Sequence, residues 1–135
     1  MATQLNHLIV HCRDRHETAR FVSDLLGTEP PVDFDIFAQI TSANGVGVDF
    51  ADSIVDADRI NPSHLAFLVT DEEFDAALGR ITERGVPHWA EPGKKVKGIN
   101  HLYGGRGVYV EDPGGTLILE LITAPYGEVP EYVTA

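Results

Sequence analysis

Apolar positions along the chain follow two periods, an alternating one typical of strands and a longer one typical of helices. The segments NHLIVHCRD and SHLAFLVTD each indicate a short strand rich in branched apolar residues. Each is followed by helical spacing, in DRHETARFVSDLLG and then in DEEFDAALGRITERG, where apolar side chains share one stripe. We predict that residues at the helix ends act as caps, namely Asp14, Asp71, Gly27 and Gly85.

The same order of elements is predicted in both halves of the chain. His7 and His64 occupy matching places in the two opening strands. After the first helix, the Asn-Gly of TSANGVG indicates a hairpin turn, and after the second helix DPGG separates two apolar strands. The order is therefore β-α-β-β-β twice, which predicts an α+β fold. We place module 1 at about residues 3–56 and module 2 at about residues 60–126.

Composition places the chain among soluble globular proteins and argues against several functions. Its 135 residues suffice for one domain, 1–135, and 43% are hydrophobic and 23% charged. A single cysteine, Cys12, permits no intrachain disulfide, which favours a reducing cytoplasm. No apolar run approaches the length of a membrane span, and we expect no targeting segment. The net charge of −11 argues against a nucleic-acid partner, because phosphate binding needs a basic surface, and it permits a cationic ligand.

One carboxylate stands inside an almost wholly apolar strand. Glu120 lies between Leu119 and Leu121, where burial is costly unless the carboxylate is paired, protonated or bound to a metal. If the two halves pack their sheets around a common cavity, then His7, His64 and Glu120 converge. Two imidazoles and one carboxylate suit a divalent first-row metal and leave positions open for substrate. The alternative is that each histidine is an ordinary hydrogen-bonded structural residue.

These features resemble the vicinal oxygen chelate superfamily, also called the glyoxalase/bleomycin resistance/dioxygenase superfamily. The resemblance covers about residues 3–126 and implies two βαβββ modules that form a curled mixed sheet around a central cavity. Family metal ligands lie on the first strand of each module and on the last strand of the second, where this chain has its His-His-Glu set. Some branches add a ligand on the last strand of module 1. Matching NGVGVDF to GGTLILE puts Phe50 at that place with Asp49 beside it. Phe50 cannot bind metal and Asp49 could do so only if the register slips by one, as a bulge allows, so we predict three ligands. The resemblance also implies a homodimer.

The segment from His101 to Glu120 is similar to the signature of extradiol ring-cleaving dioxygenases. That motif has a histidine, an apolar-Tyr pair, an Asp-Pro-x-Gly turn and a metal-binding glutamate, matched here by His101, Tyr109, DPGG and Glu120. The similarity implies that His101 and Tyr109 are catalytic residues that handle protons and bound oxygen. Four residues, Thr116 to Leu119, separate the turn from Glu120, one more than the motif leads us to expect. From the residues alone, His101 equally fits a solvated loop, and Tyr109 a packed strand.

We therefore predict an enzyme that acts on a small molecule. A divalent metal ion, either Fe(II), Mn(II), Ni(II) or Zn(II), would act as a Lewis acid on a substrate bound through neighbouring oxygens. With Fe(II) and a catechol the resemblance implies dioxygenase chemistry, and with the other metals isomerase, epimerase or lyase chemistry of the glyoxalase kind. The alternative is a bleomycin-resistance-type protein that sequesters an antibiotic without catalysis and needs no metal ligands. We expect the tail APYGEVPEYVTA to lie on the surface.

Overall fold

The structure, a computed structural model, describes residues 2–126 of the chain. Its first half contains β1 (His7–His11), α1 (Arg15–Leu26), β2 (Val32–Phe34), β3 (Phe37–Thr41) and β4 (Gly47–Ala51). Its second half contains β5 (Ser63–Leu68), α2 (Asp71–Glu83), β6 (His88–Trp89), β7 (Gly107–Glu111) and β8 (Leu117–Ile122). Short 3-10 helices at Ala57–Arg59 and Leu102–Gly104 lie in the connections. None of the helices between residues 2 and 126 has the length and apolar character that crossing a membrane requires.

The β-α-β-β-β order predicted for both halves is confirmed, and with it the two-module α+β class. Two four-stranded sheets form, one in the order β1-β4-β3-β2 and the other in the order β5-β8-β7-β6. In the first sheet β1 runs parallel to β4, whereas the β3–β4 and β2–β3 pairs are antiparallel. The predicted Asn44-Gly45 turn joins β3 to β4, and Gly45 adopts a φ of 83° that favours glycine.

The chain divides into two compact units. Unit 1 contains the residues up to His64 together with Glu111–Ile118, and therefore holds α1 and the whole first sheet. Unit 2 contains Leu65–Val110 and the described residues from Leu119 onward, and therefore holds α2, β6 and the greater part of β5, β7 and β8. The turn between β7 and β8 thus groups with unit 1, although it lies late in the chain.

Helix α1 begins and ends at the predicted residues. The Asp14 carboxylate accepts hydrogen bonds from the backbone N–H groups of His16 and Glu17, both at 3.0 Å. Gly27 ends the helix in the left-handed conformation, with a φ of 70°. Between these caps, the buried stripe consists largely of small and branched side chains, among them Ala19, Val22 and Leu25.

Helix α2 is capped one residue earlier than predicted at both ends. Thr70, not Asp71, is the N-cap, because its hydroxyl oxygen accepts from the Glu73 N–H at 3.1 Å. The same hydroxyl donates to the Glu73 carboxylate at 2.9 Å, so the two residues form a reciprocal capping pair. At the other end Arg84 is the C-cap and Gly85 follows it with a φ of 65°.

The DPGG turn between β7 and β8 is built around a buried carboxylate. Asp112 is 3% exposed and accepts from the backbone N–H groups of Thr116 at 2.7 Å and Leu117 at 2.8 Å. It also accepts from the hydroxyls of Thr18 at 2.8 Å and Thr116 at 3.2 Å. Because these donors are backbone amides and threonines, this turn is a structural one that ties the start of β8 to α1.

Candidate functional site

Strand β1 presents His7 on the same face of the first sheet as Asp49 of β4. The parallel register pairs His7 with Gly47 and Ile9 with Asp49. Since directly paired residues point to the same side of a sheet, Asp49 shares the face of His7. The alignment that put Phe50 at this place is therefore wrong by one residue. It matched the two turns, whereas the register of β4 is set by its hydrogen bonds to β1.

A cavity of about 390 Å³ opens beside His7 in unit 1. Asp49, Gln39 and Phe34 are among its lining residues. The Gln39 side-chain amide donates to the Asp49 carboxylate at 2.5 Å, and Asp49 is only 4% exposed. The Nδ1 atom of His7 lies 2.7 Å from the side-chain oxygen of Asn6, which can only accept a hydrogen bond. Nδ1 therefore carries the proton, and Nε2 is the nitrogen that can accept from, or bind, a ligand.

Strand β5 runs beside β8 in the second sheet, and hydrogen bonds at both ends set their register. The Ser63 N–H donates to the Thr116 carbonyl at 2.9 Å. The Val69 N–H, just beyond β5, donates to the Ile122 carbonyl at 2.8 Å. Both bonds fit one parallel register, so the strand pair contains no bulge between them.

In that register Ala66 lies opposite Glu120, as Ile9 lies opposite Asp49 in the first sheet. His64 is two residues before Ala66 and therefore points to the same face as Glu120. The additional residue after the DPGG turn does not turn Glu120 away from this face. His64 is exposed on β5, whereas Glu120 is 1% exposed.

Two tyrosine hydroxyls form a hydrogen-bonded chain that ends at Glu120. The Tyr126 hydroxyl donates to Oε2 of Glu120, and the hydroxyls of Tyr126 and Tyr109 lie 2.7 Å apart. The Tyr109 hydroxyl is also hydrogen-bonded to Glu120, so both phenols reach the carboxylate. Burial, and then the hydrogen bond with Tyr126, raises the pKa of Tyr109 far above its ordinary value. Burial, and then the hydrogen bond to Glu120, also raises the pKa of Tyr126. Both phenols are therefore neutral donors at physiological pH.

Tyr126 is a contact of Glu120 that the sequence did not predict. We expected the whole tail to lie on the surface, and the Tyr126 ring is indeed 47% exposed. Its hydroxyl, however, reaches the buried Glu120, and its ring packs against Tyr103 with a centroid distance of 5.0 Å. The only signal in the sequence was an aromatic residue shortly after the strand that carries Glu120. Residues 127–135 lie outside the described part of the chain.

The two predicted catalytic residues occupy different surroundings. Tyr109 is 5% exposed on β7 and is hydrogen-bonded to Tyr126 and to Glu120. His101 is exposed at the start of the 3-10 helix Leu102–Gly104. The described contacts thus connect Tyr109 to a candidate ligand and leave the place of His101 relative to it a prediction.

The candidate ligands suit a divalent metal by donor chemistry. The Nε2 atom of His7, the imidazole of His64 and the carboxylate of Glu120 are donors that first-row divalent ions accept. Within residues 2–126, no three or more histidine, cysteine, aspartate or glutamate side chains gather closely enough to hold a metal ion. The metal site of His7, His64 and Glu120 therefore stays a prediction.

Similar solved structures include two proteins named as oxidases. The one named oxidase ChaP-H1 is 48% identical, covers 94% of this chain and 100% of its own, and has a TM-score of 0.87. The one named oxidase ChaP-H2 is 45% identical, covers 95% of this chain and 98% of its own, and has a TM-score of 0.86. A glyoxalase/dioxygenase from Nostoc punctiforme is 21% identical over 90% of this chain and 91% of its own, with a TM-score of 0.66, and shows the fold alone. A comparison with proteins of curated function gave no match.

A family model matches most of the chain and agrees with the observed fold. The model described as Glyoxalase/Bleomycin resistance protein/Dioxygenase superfamily matches residues 4–119, which is most of the chain. The paired βαβββ modules and the two oxidases of nearly half-identical sequence agree with it. As its sequence predicted, the chain belongs to the glyoxalase/bleomycin resistance protein/dioxygenase superfamily.

Proposed function

We propose that the chain is a metal-dependent enzyme that oxidises a small molecule with dioxygen, and that His7, His64 and Glu120 hold a divalent metal ion. The observation that carries the proposal is the place of Glu120, 1% exposed on the face of the second sheet that also carries His64. A cation offsets the cost of burying a carboxylate more strongly than a neutral hydroxyl does.

The comparisons favour oxidation over isomerisation. Both structures named as oxidases share at least 45% identity with nearly the whole chain. A lactoylglutathione lyase from Agrobacterium tumefaciens shares only 16% identity, so its likeness concerns the fold and carries no argument about chemistry. The proposed reaction class is accordingly that of an oxidase or dioxygenase.

The chain supplies distinct groups for binding and for proton handling. A divalent metal ion at the three ligands would supply Lewis-acid chemistry to a substrate bound through two neighbouring oxygens. Beside His7, the Gln39 amide and the Asp49 carboxylate are partners for a polar group of that substrate, and Phe34 offers an apolar wall. Tyr109 is a neutral hydrogen-bond donor whose pKa burial raises further, and His101 is an exposed imidazole. We propose these last two residues as the proton-handling groups.

Metal content is the first test of the proposal. The purified protein is reconstituted without oxygen in Fe(II), Mn(II), Ni(II) or Zn(II), desalted and measured by elemental analysis. Wild type should retain about one metal ion per chain, as one three-ligand site requires. His64→Ala should lose it. The matched control is His16→Ala, because His16 is engaged with Asp33 at 2.7 Å on the surface and is no candidate ligand.

Two outcomes contradict the metal site. One is a wild-type protein that retains none of the four metals, and the other is a His64→Ala variant that retains as much as wild type. Either result would remove the metal-dependent function and make the antibiotic-sequestering alternative the next one to test, by direct binding of a cationic antibiotic.

Dioxygen uptake is the test of the reaction class. The protein loaded with its preferred metal is offered catechols and other small molecules with neighbouring oxygens, and oxygen consumption is followed. Tyr109→Phe and His101→Ala should each lower kcat by about a hundredfold, since a positioned proton donor or acceptor contributes that much. Substrate turnover without oxygen consumption would contradict oxidation and favour isomerase or lyase chemistry.

We also propose that the chain forms a homodimer. Apolar side chains are exposed on the strand faces that carry the candidate histidines, with Ile9 at 42% and Leu68 at 60%. Covering such surface with a second copy is favourable. Sedimentation velocity should show a mass of about two chains, and a monomer at micromolar concentration would contradict the proposal.

A further inference from the structure

We infer that Tyr126 is a positioning residue for Glu120: its hydroxyl fixes the orientation of the carboxylate as a ligand and links it to Tyr109. The inference rests on the proposed metal site. It adds a residue from outside the strands that carry the candidate ligands.

The carboxylate that Tyr126 contacts is buried. Glu120 is 1% exposed, so bulk water cannot replace a donor that is removed. The Tyr126 hydroxyl occupies Oε2, which restricts rotation of the carboxylate about its own axis. Carboxylates that bind metals are commonly oriented by such a hydrogen bond from a neighbouring residue.

Tyr126 is itself held at its ring and at its hydroxyl. Its ring packs on the Tyr103 ring, with 5.0 Å between centroids and 41° between planes. Tyr103 adopts a left-handed φ of 55°, an uncommon conformation that the loop imposes on a non-glycine residue. The Tyr126 hydroxyl is fixed by Tyr109, whose side chain is 5% exposed on β7. A donor held at its ring and at its oxygen can orient an acceptor.

The hydrogen bond between Tyr126 and Glu120 has a defined direction. Glu120 can only accept while it is ionised, so the Tyr126 proton points towards it. The Tyr109 hydroxyl lies 2.7 Å from the Tyr126 hydroxyl and is also hydrogen-bonded to Glu120, so the three groups form one network. The proposed proton-handling residue Tyr109 is thus coupled to the proposed metal ligand.

Metal affinity of single-hydroxyl variants tests the inference. Binding of Mn(II) and of Zn(II) is measured by titration calorimetry without oxygen on wild type, Tyr126→Phe, Tyr109→Phe and Tyr103→Phe. Tyr126→Phe keeps the ring contact and removes only the donor, and it should raise the Kd by about 10- to 100-fold, as loss of an orienting partner does. Tyr109→Phe should have a smaller effect in the same direction.

The control is Tyr103→Phe, which shares the ring contact and lies outside the hydroxyl chain. Its Kd should stay within about twofold of wild type, as for ordinary surface changes. A purely structural role for the tyrosine cluster would instead weaken binding equally in Tyr103→Phe and Tyr126→Phe. That result would overturn the inference, and so would a Tyr126→Phe affinity equal to wild type or tighter.

The outcomes separate this inference from the proposed function. If wild type binds metal, His64→Ala does not, and Tyr126→Phe binds as wild type does, only the role of Tyr126 is wrong. If wild type binds no metal, both are wrong. Circular dichroism and thermal unfolding show whether each variant folds. If Tyr126→Phe does not fold, Tyr109→Phe decides, because an unchanged Kd there also overturns the coupling.

Discussion

Asp49 and Glu120 occupy equivalent places in the two sheets, yet different side chains hold them. Each lies opposite a strand residue two positions after a histidine. Asp49 accepts from the Gln39 amide and borders the cavity, whereas Glu120 accepts from the Tyr126 hydroxyl. The repeated backbone thus places a carboxylate on the histidine face twice, and the partner side chain makes the difference. In the proposed function, Asp49 contacts the substrate and Glu120 binds the metal.

The largest effect should come from neutralising the two carboxylates in turn. Glu120→Gln should lower metal affinity by more than about a hundredfold, because a charged ligand is lost. Asp49→Asn should change it by less than about tenfold, because in our assignment only a neighbouring charge is lost. Metal retained per chain after desalting, and the Kd by calorimetry, measure both variants.

Loss of metal from Asp49→Asn would show that both carboxylates bind the metal. If Asp49→Asn loses metal as completely as Glu120→Gln, the two carboxylates are equivalent. The site would then have four ligands, as in the glyoxalase pattern that the misplaced Phe50 had seemed to exclude.

The next effect concerns the partner of Asp49. Gln39→Leu removes the amide donor from a carboxylate that is 4% exposed, and should lower the free energy of unfolding by about 1–3 kcal/mol. Urea unfolding of Gln39→Leu, Asp49→Asn and the double variant measures the coupling between them. Strictly additive costs would show that this hydrogen bond contributes nothing to stability.

The smallest effect is a loss of stability at alkaline pH that is due to Tyr109. The folded-state pKa of Tyr109 is raised, so its contribution is fully present below the unfolded pKa of about 10 and declines as pH rises above it. One such group should cost about 1 kcal/mol between pH 10 and pH 11. Tyr109→Phe should show a shallower decline of unfolding free energy over that range.

This comparison needs a Cys12→Ala background. Burial raises the pKa of the Cys12 thiol from 9.0 to about 11. Ionisation of this thiol in the unfolded state therefore also lowers the free energy of unfolding between pH 10 and pH 11. If the free energy of unfolding falls equally steeply with pH in the Tyr109 and the Tyr109→Phe proteins, the burial of a neutral phenol at this position is contradicted.

The sequence predicts local features of this fold well and non-local ones less well. The strand and helix periods, the Asp14 cap and the Asn44-Gly45 turn depend on neighbouring residues, and all are confirmed. The face of Asp49 depends on hydrogen bonds between strands far apart in the chain, so matching turn lengths placed it wrongly.

The burial of Glu120 could be predicted from the sequence, but its partner could not. Its position inside an apolar strand was visible in the sequence, and its burial followed from that pattern. Tyr126 was not predictable, because its contact depends on where the chain turns after β8 and not on the character of the tail.

The anchoring of the DPGG turn to α1 bears on how the protein folds as it is synthesised. The Thr18 hydroxyl bonds to Asp112, 94 residues later, and the Arg13 side chain donates to the Gly114 carbonyl, 101 residues later. Unit 1 therefore cannot complete its hydrogen bonding until Asp112 and Gly114 have left the ribosome. A nascent chain stalled after the first β-α-β-β-β module should be incompletely folded, and such long-range closure should make folding slow relative to helical proteins of this size.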